Sequence, residues 1–233
     1  MKSPPVSFLA VVGSAVLFIG SSARCSEPFA APHKSHCDDR LHATVMNGIT
    51  NTWTYAEDGR VLSIAGSDGR NRTYTYDLRS PPNTVTEEFS GPDFSYLTVF
   101  TLGKHGLAVS DDEGNSYEYD VHGYLVRVVR PSLTETRTIV DGNLGIDIIT
   151  GSLSETIIYT YTSLENCPDS GIYFLGKRFR NWPETATIIK DGQLAFMITY
   201  SYELDVNGRV ATRTTTISSN AGTRTQVTAY LYE

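Results

Sequence analysis

LGKRFRNWP, residues 175–183, is the one locally basic stretch that also carries an indole. Lys177, Arg178 and Arg180 can pair with an anionic glycan or a lipid headgroup, and Trp182 can offer a ring face beside them. The same stretch also fits a core role, with Trp182-Pro183 filling space and the cations in solvent. His33, His36, Cys37, Asp38, Asp39 and His42 gather imidazole, thiolate and carboxylate, so a zinc or copper site can be drawn. No rigid element sets ligand geometry there, and the expectation is no metal site. Glu87-Glu88 and Asp111-Asp112-Glu113 offer carboxylates for glycosidase-type catalysis or for calcium. The second run lacks EF-hand spacing, and acidic turns are the expected reading of both. His105 and His122 sit beside glycines as turn residues. The chain contains no HExxH, no GxSxG and no glycine-rich phosphate loop, so no catalytic residue and no cofactor is assigned.

Composition narrows the classes. The chain has 233 residues, with 26 acidic against 19 basic side chains, a formal charge of −7. Without a basic excess, non-specific nucleic-acid binding lacks its electrostatic drive, and nucleic acid is excluded as the expected partner. Hydrophobic residues are 40% and charged residues 19%, which argues for a folded core.

The elements that position these residues begin with an address. Lys2, the apolar run from Val6 to Ile19, and Ser21-Ser22-Ala23 have the layout of a secretory signal peptide over residues 1–23. Residues 24–44 read as a polar, proline-interrupted leader. Cys25 stands where bacterial lipoproteins are acylated, although Arg24 replaces the usual small residue. Secretion and lipid anchoring both stay open. Cys37 and Cys167 can pair in an oxidising compartment. The chain is expected to be exported to the periplasm, the cell surface or the medium, or to sit as an outer-membrane lipoprotein.

From residue 45 to 233 the pattern is β throughout. Doublets of the form aromatic-x-aromatic recur as Trp53/Tyr55, Tyr74/Tyr76, Phe94/Tyr96, Tyr117/Tyr119, Tyr159/Tyr161, Tyr200/Tyr202 and Tyr230/Tyr232. The spacing is about 21 residues, with two unmarked repeats in the middle, and fits one hairpin per repeat. Residues i and i+2 of a strand share a face, so each doublet sets two rings side by side. Rows of strand tyrosines suit core packing, or stacking on sugar rings. Asp58-Gly59, His122-Gly123 and Asn207-Gly208 follow doublets and supply the positive φ of tight hairpins. The fold class is all-β: an antiparallel meander of about 14–18 short strands forming one strongly bent sheet or open barrel. The strands look shorter than membrane crossing requires, and their other positions are rich in Thr, Ser, Glu and Arg. Membrane contact is therefore expected only through a lipid anchor.

YEYDVHGYLVRV at 117–128 and YSYELDVNGRVATR at 200–213 resemble the YD-type repeats of bacterial secreted and surface proteins. LGKRFRNWP, TYSYELDVNGRV and the closing TAYLYE resemble an uncharacterised bacterial envelope family, a domain of unknown function with a porin-like fold. The resemblance covers most of residues 45–233. It implies an exported β-sheet protein, often lipid-anchored, and no activity. The leading expectation is a non-enzymatic envelope protein acting in binding or structure, its partner a glycan or another envelope protein. A glycan-acting hydrolase using carboxylates, and a repeat shell enclosing or displaying another polypeptide, are the alternatives.

Overall fold

The computed structural model describes residues 40–79, 81–166 and 171–232. Sixteen strands follow one another: β1 Leu41–Met46, β2 Ile49–Tyr55, β3 Val61–Gly66, β4 Asn71–Asp77, β5 Thr84–Ser90, β6 Ser95–Leu102, β7 Ala108–Asp111, β8 Ser116–Tyr119, β9 Leu125–Arg130, β10 Leu133–Val140, β11 Asn143–Gly151, β12 Glu155–Glu165, β13 Asn181–Lys190, β14 Gln193–Leu204, β15 Val210–Ser219 and β16 Gly222–Tyr232. Each pairs antiparallel with its chain neighbours, and β1 pairs with β16, so the meander closes into a barrel. The strand count and the antiparallel meander match the sequence pattern. Closure comes from Thr44 opposite Tyr230 and Val45 opposite Ala229, a pairing between the two ends of the domain. The first strand starts at Leu41, inside the segment read as leader. The signal segment, Cys25, His33, His36, Cys37, Asp38, Asp39 and Cys167 lie outside the described residues.

Two turn designs explain the hairpins. Asn47-Gly48, Asp141-Gly142 and Asp191-Gly192 have positive φ at both residues, as two-residue type I′ hairpins require. The other recurring design places a carboxylate at the first turn residue and a left-handed glycine three residues on. Asp120 accepts from the N–H groups of His122 and Tyr124, Asp205 from those of Asn207 and Arg209, and Asp111 from those of Glu113 and Asn115. This Asx turn is why an acid follows the aromatic doublet so often. The ladder slips by a bulge beside these turns, at Tyr55, Leu102, Tyr119, Ile139, Tyr161 and Leu204. Bulges increase local twist and bend strands. Repeated at one end of the barrel, they curl that end inward and help the sheet to close.

Register separates the two faces. Tyr74 lies opposite Glu87, and Tyr76 opposite Val85, which lies opposite Phe100. That face is the concave one, because Phe174 touches the rings of Tyr74 and Tyr76 on β4 and of Phe100 on β6. Phe174 belongs to the described part, residues 171–180, of the connection between β12 and β13, within the 3-10 turn Tyr173–Leu175. This connection crosses the bulged end as a plug. Gly171 O accepts from the Val61 N–H, and the Lys177 and Arg180 N–H groups donate to Gly123 O and Gly142 O. Two inner clusters fill this end, one around Val61, Val85 and Phe174, the other around Leu41, Trp182 and Tyr230, with Trp53 touching both.

Two details differ from the sequence pattern. Phe94 and Tyr96 lie at the opposite end of β6, and Phe100 and Leu102 take the level that the other doublets occupy. Only one repeat is unmarked, β10, where Arg137 and Ile139 stand in place of rings. The step from Tyr161 to Tyr202 is a single hairpin stretched by the plug. Strands β11 to β16 also run to 9–12 residues, longer than expected.

Candidate functional site on the inner wall

The expected basic loop is divided by the fold. Trp182 is 1% exposed, its ring 5.3 Å from that of Tyr202 and 5.4 Å from that of Tyr230. It is a core residue and offers no ring face to a ligand. Lys177 lies over the Tyr124 ring at 5.4 Å, and a Cβ on Gly142 would meet both Tyr124 and Arg180. Lys177 and Arg180 therefore flank Tyr124 on the plug, while Trp182 turns into the core and Arg178 is half-buried.

The carboxylate runs are likewise accounted for. Glu87 points inward and Glu88 outward, as neighbours on a strand must. Asp111 accepts from Tyr117 and Asn115 besides its turn N–H groups, Asp112 from the Val99 N–H, and Glu113 from Thr98. His105 and His122 are exposed turn residues.

A different set of charges lines the interior. Arg72 lies 3.8 Å from Glu87, which accepts from the Tyr96 hydroxyl at 3.0 Å. Glu135 pairs with Arg130 at 3.1 Å and with Arg137, and Arg137 Nε reaches Asp147 at 3.6 Å. Asp147 is 5% exposed, and its Oδ1 meets no donor among the described residues. Burial, and then the charge of Glu135, raise its carboxyl to about 8 against the pull of Arg137. Burial also acts on Glu135, but Arg137 wins there and holds that carboxyl below its ordinary range. A buried acid that keeps its proton beside an ionised neighbour explains the donor-less oxygen. Both carboxyls converge on one guanidinium, leaving no gap for the sugar and water that glycosidase pairs enclose.

Farther round the wall, Arg213 stands opposite Tyr202 and Thr228. Its guanidinium lies 5.8 Å from the Tyr200 ring centroid and 5.9 Å from that of Tyr230. Among the described residues no carboxylate lies within ion-pair distance of it, and its Nε is buried without an acceptor. Inner-face residues here, Tyr159, Tyr161, Tyr200, Tyr202 and Thr215, are half-buried. Across the barrel the inner face is tightly filled by Val61, Tyr74, Val85, Glu87 and Ala108. Accessible interior surface thus belongs to the long strands. Sequence reasoning missed these charges because RTTT reads as surface. The available signal was register: Arg72 precedes a doublet by two residues and so shares its face.

The outer face carries a different chemistry. Thr50, Thr52 and Thr54 point outward from β2, Thr134, Thr136 and Thr138 from β10, and Thr212, Thr214, Thr216 and Ser218 from β15, by alternation from their inward neighbours. Cross-strand pairs tie this face: Ser63 to Thr54 at 2.9 Å, Thr160 to Thr185 at 2.8 Å and Arg127 to Glu118 at 2.9 Å.

No family model matches the chain, and no curated protein matches it. Among solved structures it is similar to a porin-like protein from Bacteroides uniformis, with a TM-score of 0.60 over 83% of this chain and 96% of that one. The fold is porin-like. At 15% identity the likeness extends to the barrel alone. The porin-like barrel here is plugged at one end and lined with rings and charges.

Proposed function

We propose that this is an exported, non-catalytic binding protein of the bacterial cell envelope: a porin-like barrel that stands in water and takes its ligand against the inner wall of its long strands. The distribution of side chains over the two faces carries this reading. A membrane-spanning barrel turns an apolar, aromatic-girdled band outward and a polar surface inward. Here the strand rings are inside, and outside the threonines alternate with aliphatics such as Ile146, Ile148, Ile158, Met197 and Val227, with no aromatic girdle among the described residues. Strand length does not decide the matter, since β12 and β14 to β16 have the 9–11 residues or more that a crossing needs.

Export rests on the signal-like segment 1–23. Fractionation of bacterial cells producing the full chain should recover it from the envelope or the medium, and a wholly cytoplasmic chain would overturn the reading. Intact mass of the recovered protein reads out cleavage after Ala23, acylation of Cys25, and, with and without reductant, pairing of Cys37 with Cys167.

A further inference from the structure

We propose that the inner wall of β12 to β16 binds an anionic saccharide, with the sugar's carboxylate or sulfate on Arg213 and its ring face against Tyr200. The proposal rests on the barrel being a binding protein.

Charge complementarity selects the anion. Most cations of the inner wall are paired, Arg72 with Glu87, Arg130 and Arg137 with Glu135, and Lys190 with Glu155 at 3.0 Å, while exposed Arg224, opposite Ile217 on β16, adds a second cation to the face of Arg213. Arg213 is left with two ring faces and no carboxylate. A guanidinium braced by rings on two strands keeps its fork fixed, which suits a planar carboxylate or a sulfate.

The surroundings of Arg213 select a polyhydroxylated ligand over an apolar acid. On the same face Thr215 stands opposite both Tyr200 and Gln226, and Arg213 opposite Thr228. Hydroxyl and amide groups beside an accessible aromatic ring are the partners a pyranose uses, its apolar face on the ring and its hydroxyls on the polar side chains. Beyond Tyr200 the ring row of this face continues to Tyr159 and Tyr161 on β12, whose rings lie 6.5 Å apart.

Calorimetric titration of the exported full chain with a hexagalacturonate and with a heparin-derived hexasaccharide tests this. Maltohexaose supplies the neutral comparison, and sodium acetate and sodium sulfate supply the bare anions. We expect at least one anionic hexasaccharide to bind and the other three probes not to. Arg213→Gln should weaken binding at least tenfold, Arg213→Lys should restore part of it, and Tyr200→Leu should weaken it with the charge intact. Thr214→Ala, on the outer face between Arg213 and Thr215, should change nothing. Should Arg213→Gln misfold, Tyr200→Leu and competition by rising salt carry the test. Equal binding by Arg213→Gln or Tyr200→Leu, equal binding of maltohexaose, or saturable binding of acetate or sulfate alone would overturn the assignment. So would failure of both anionic hexasaccharides to bind a folded, exported, water-borne chain, an outcome that leaves the reading of the barrel itself standing.

Discussion

Phe174 and Phe100 stand 5.0 Å apart between ring centroids, although one belongs to the connection after β12 and the other to β6. The contact turns a long connection into a stopper. It buries Phe174 to 2% exposure and joins the two halves of the barrel at the bulged end.

Removing that stopper has a calculable consequence. Phe174→Ala deletes a fully buried ring among Tyr74, Tyr76 and Phe100, and changes of this kind cost about 3–5 kcal/mol. Urea unfolding should show the loss, and limited proteolysis should cut within 171–180 faster. A cost below about 1 kcal/mol would mean the plug rests on the surface.

Trp182 and the cations near it should separate cleanly. Trp182→Ala is expected to cost about 3–5 kcal/mol, because the indole is enclosed by Tyr202, Tyr230, Leu41 and Val210. Lys177→Ala and Arg180→Ala should each stay within about 0.5 kcal/mol. Thermal melts of the three variants side by side would show the contrast, and three equal shifts would contradict it.

Gly171 makes a finer test of the plug's seat. A Cβ there would lie 2.6 Å from Gly59 O and 2.6 Å from Val61 N, with φ at +67°. Gly192 has a similar φ of +76° but nothing within 4 Å. Both alanine variants carry the left-handed strain, roughly 1 kcal/mol, and only Gly171→Ala adds a backbone clash. Gly171→Ala should therefore unfold at distinctly lower denaturant than Gly192→Ala. Equal midpoints would mean that the plug shifts freely against β3.

Stability should fall with rising pH through Asp147. Unfolded, this acid loses its proton near pH 4. Folded, it keeps it up to about 8. Between those values the native chain binds the extra proton, so the Asp147 contribution is present at low pH and lost as pH rises. Glu135 acts in the opposite sense, its contribution lost as pH falls below the ordinary carboxylate range. Above about pH 5 the profile therefore reports Asp147. Asp147→Asn cannot ionise, and its Tm should gain on the parent from pH 5 to 8.5. Parallel profiles would show that Asp147 is already ionised at neutral pH.

Much of the fold was legible in local pattern. Tyr-x-Tyr with Thr between announces a two-faced strand, and Asp-x-x-Gly announces the turn that follows. What local pattern omits is long-range pairing and the sign of the faces. Nothing near Thr44 says that it meets Tyr230. Alternation separates threonines from tyrosines without saying which side is concave, and the plug that decides it has no periodicity at all. For the same reason Trp182 reads equally as ligand platform and as core, and Arg213, flanked by threonines, reads as solvent-facing until closure turns it inward.

The central claim is that threonine faces water and the rings face inward. Flotation with phosphatidylcholine/phosphatidylglycerol vesicles, some made from brominated lipid, tests it most directly, using the full chain with Cys25→Ser so that no acyl group can anchor it. The account predicts a detergent-free chain that stays in the aqueous fraction, with Trp53 and Trp182 fluorescence unquenched by the bromines. Co-flotation with quenched tryptophan and a heat-dependent shift on SDS gels would show a barrel that spans the bilayer, and would contradict it.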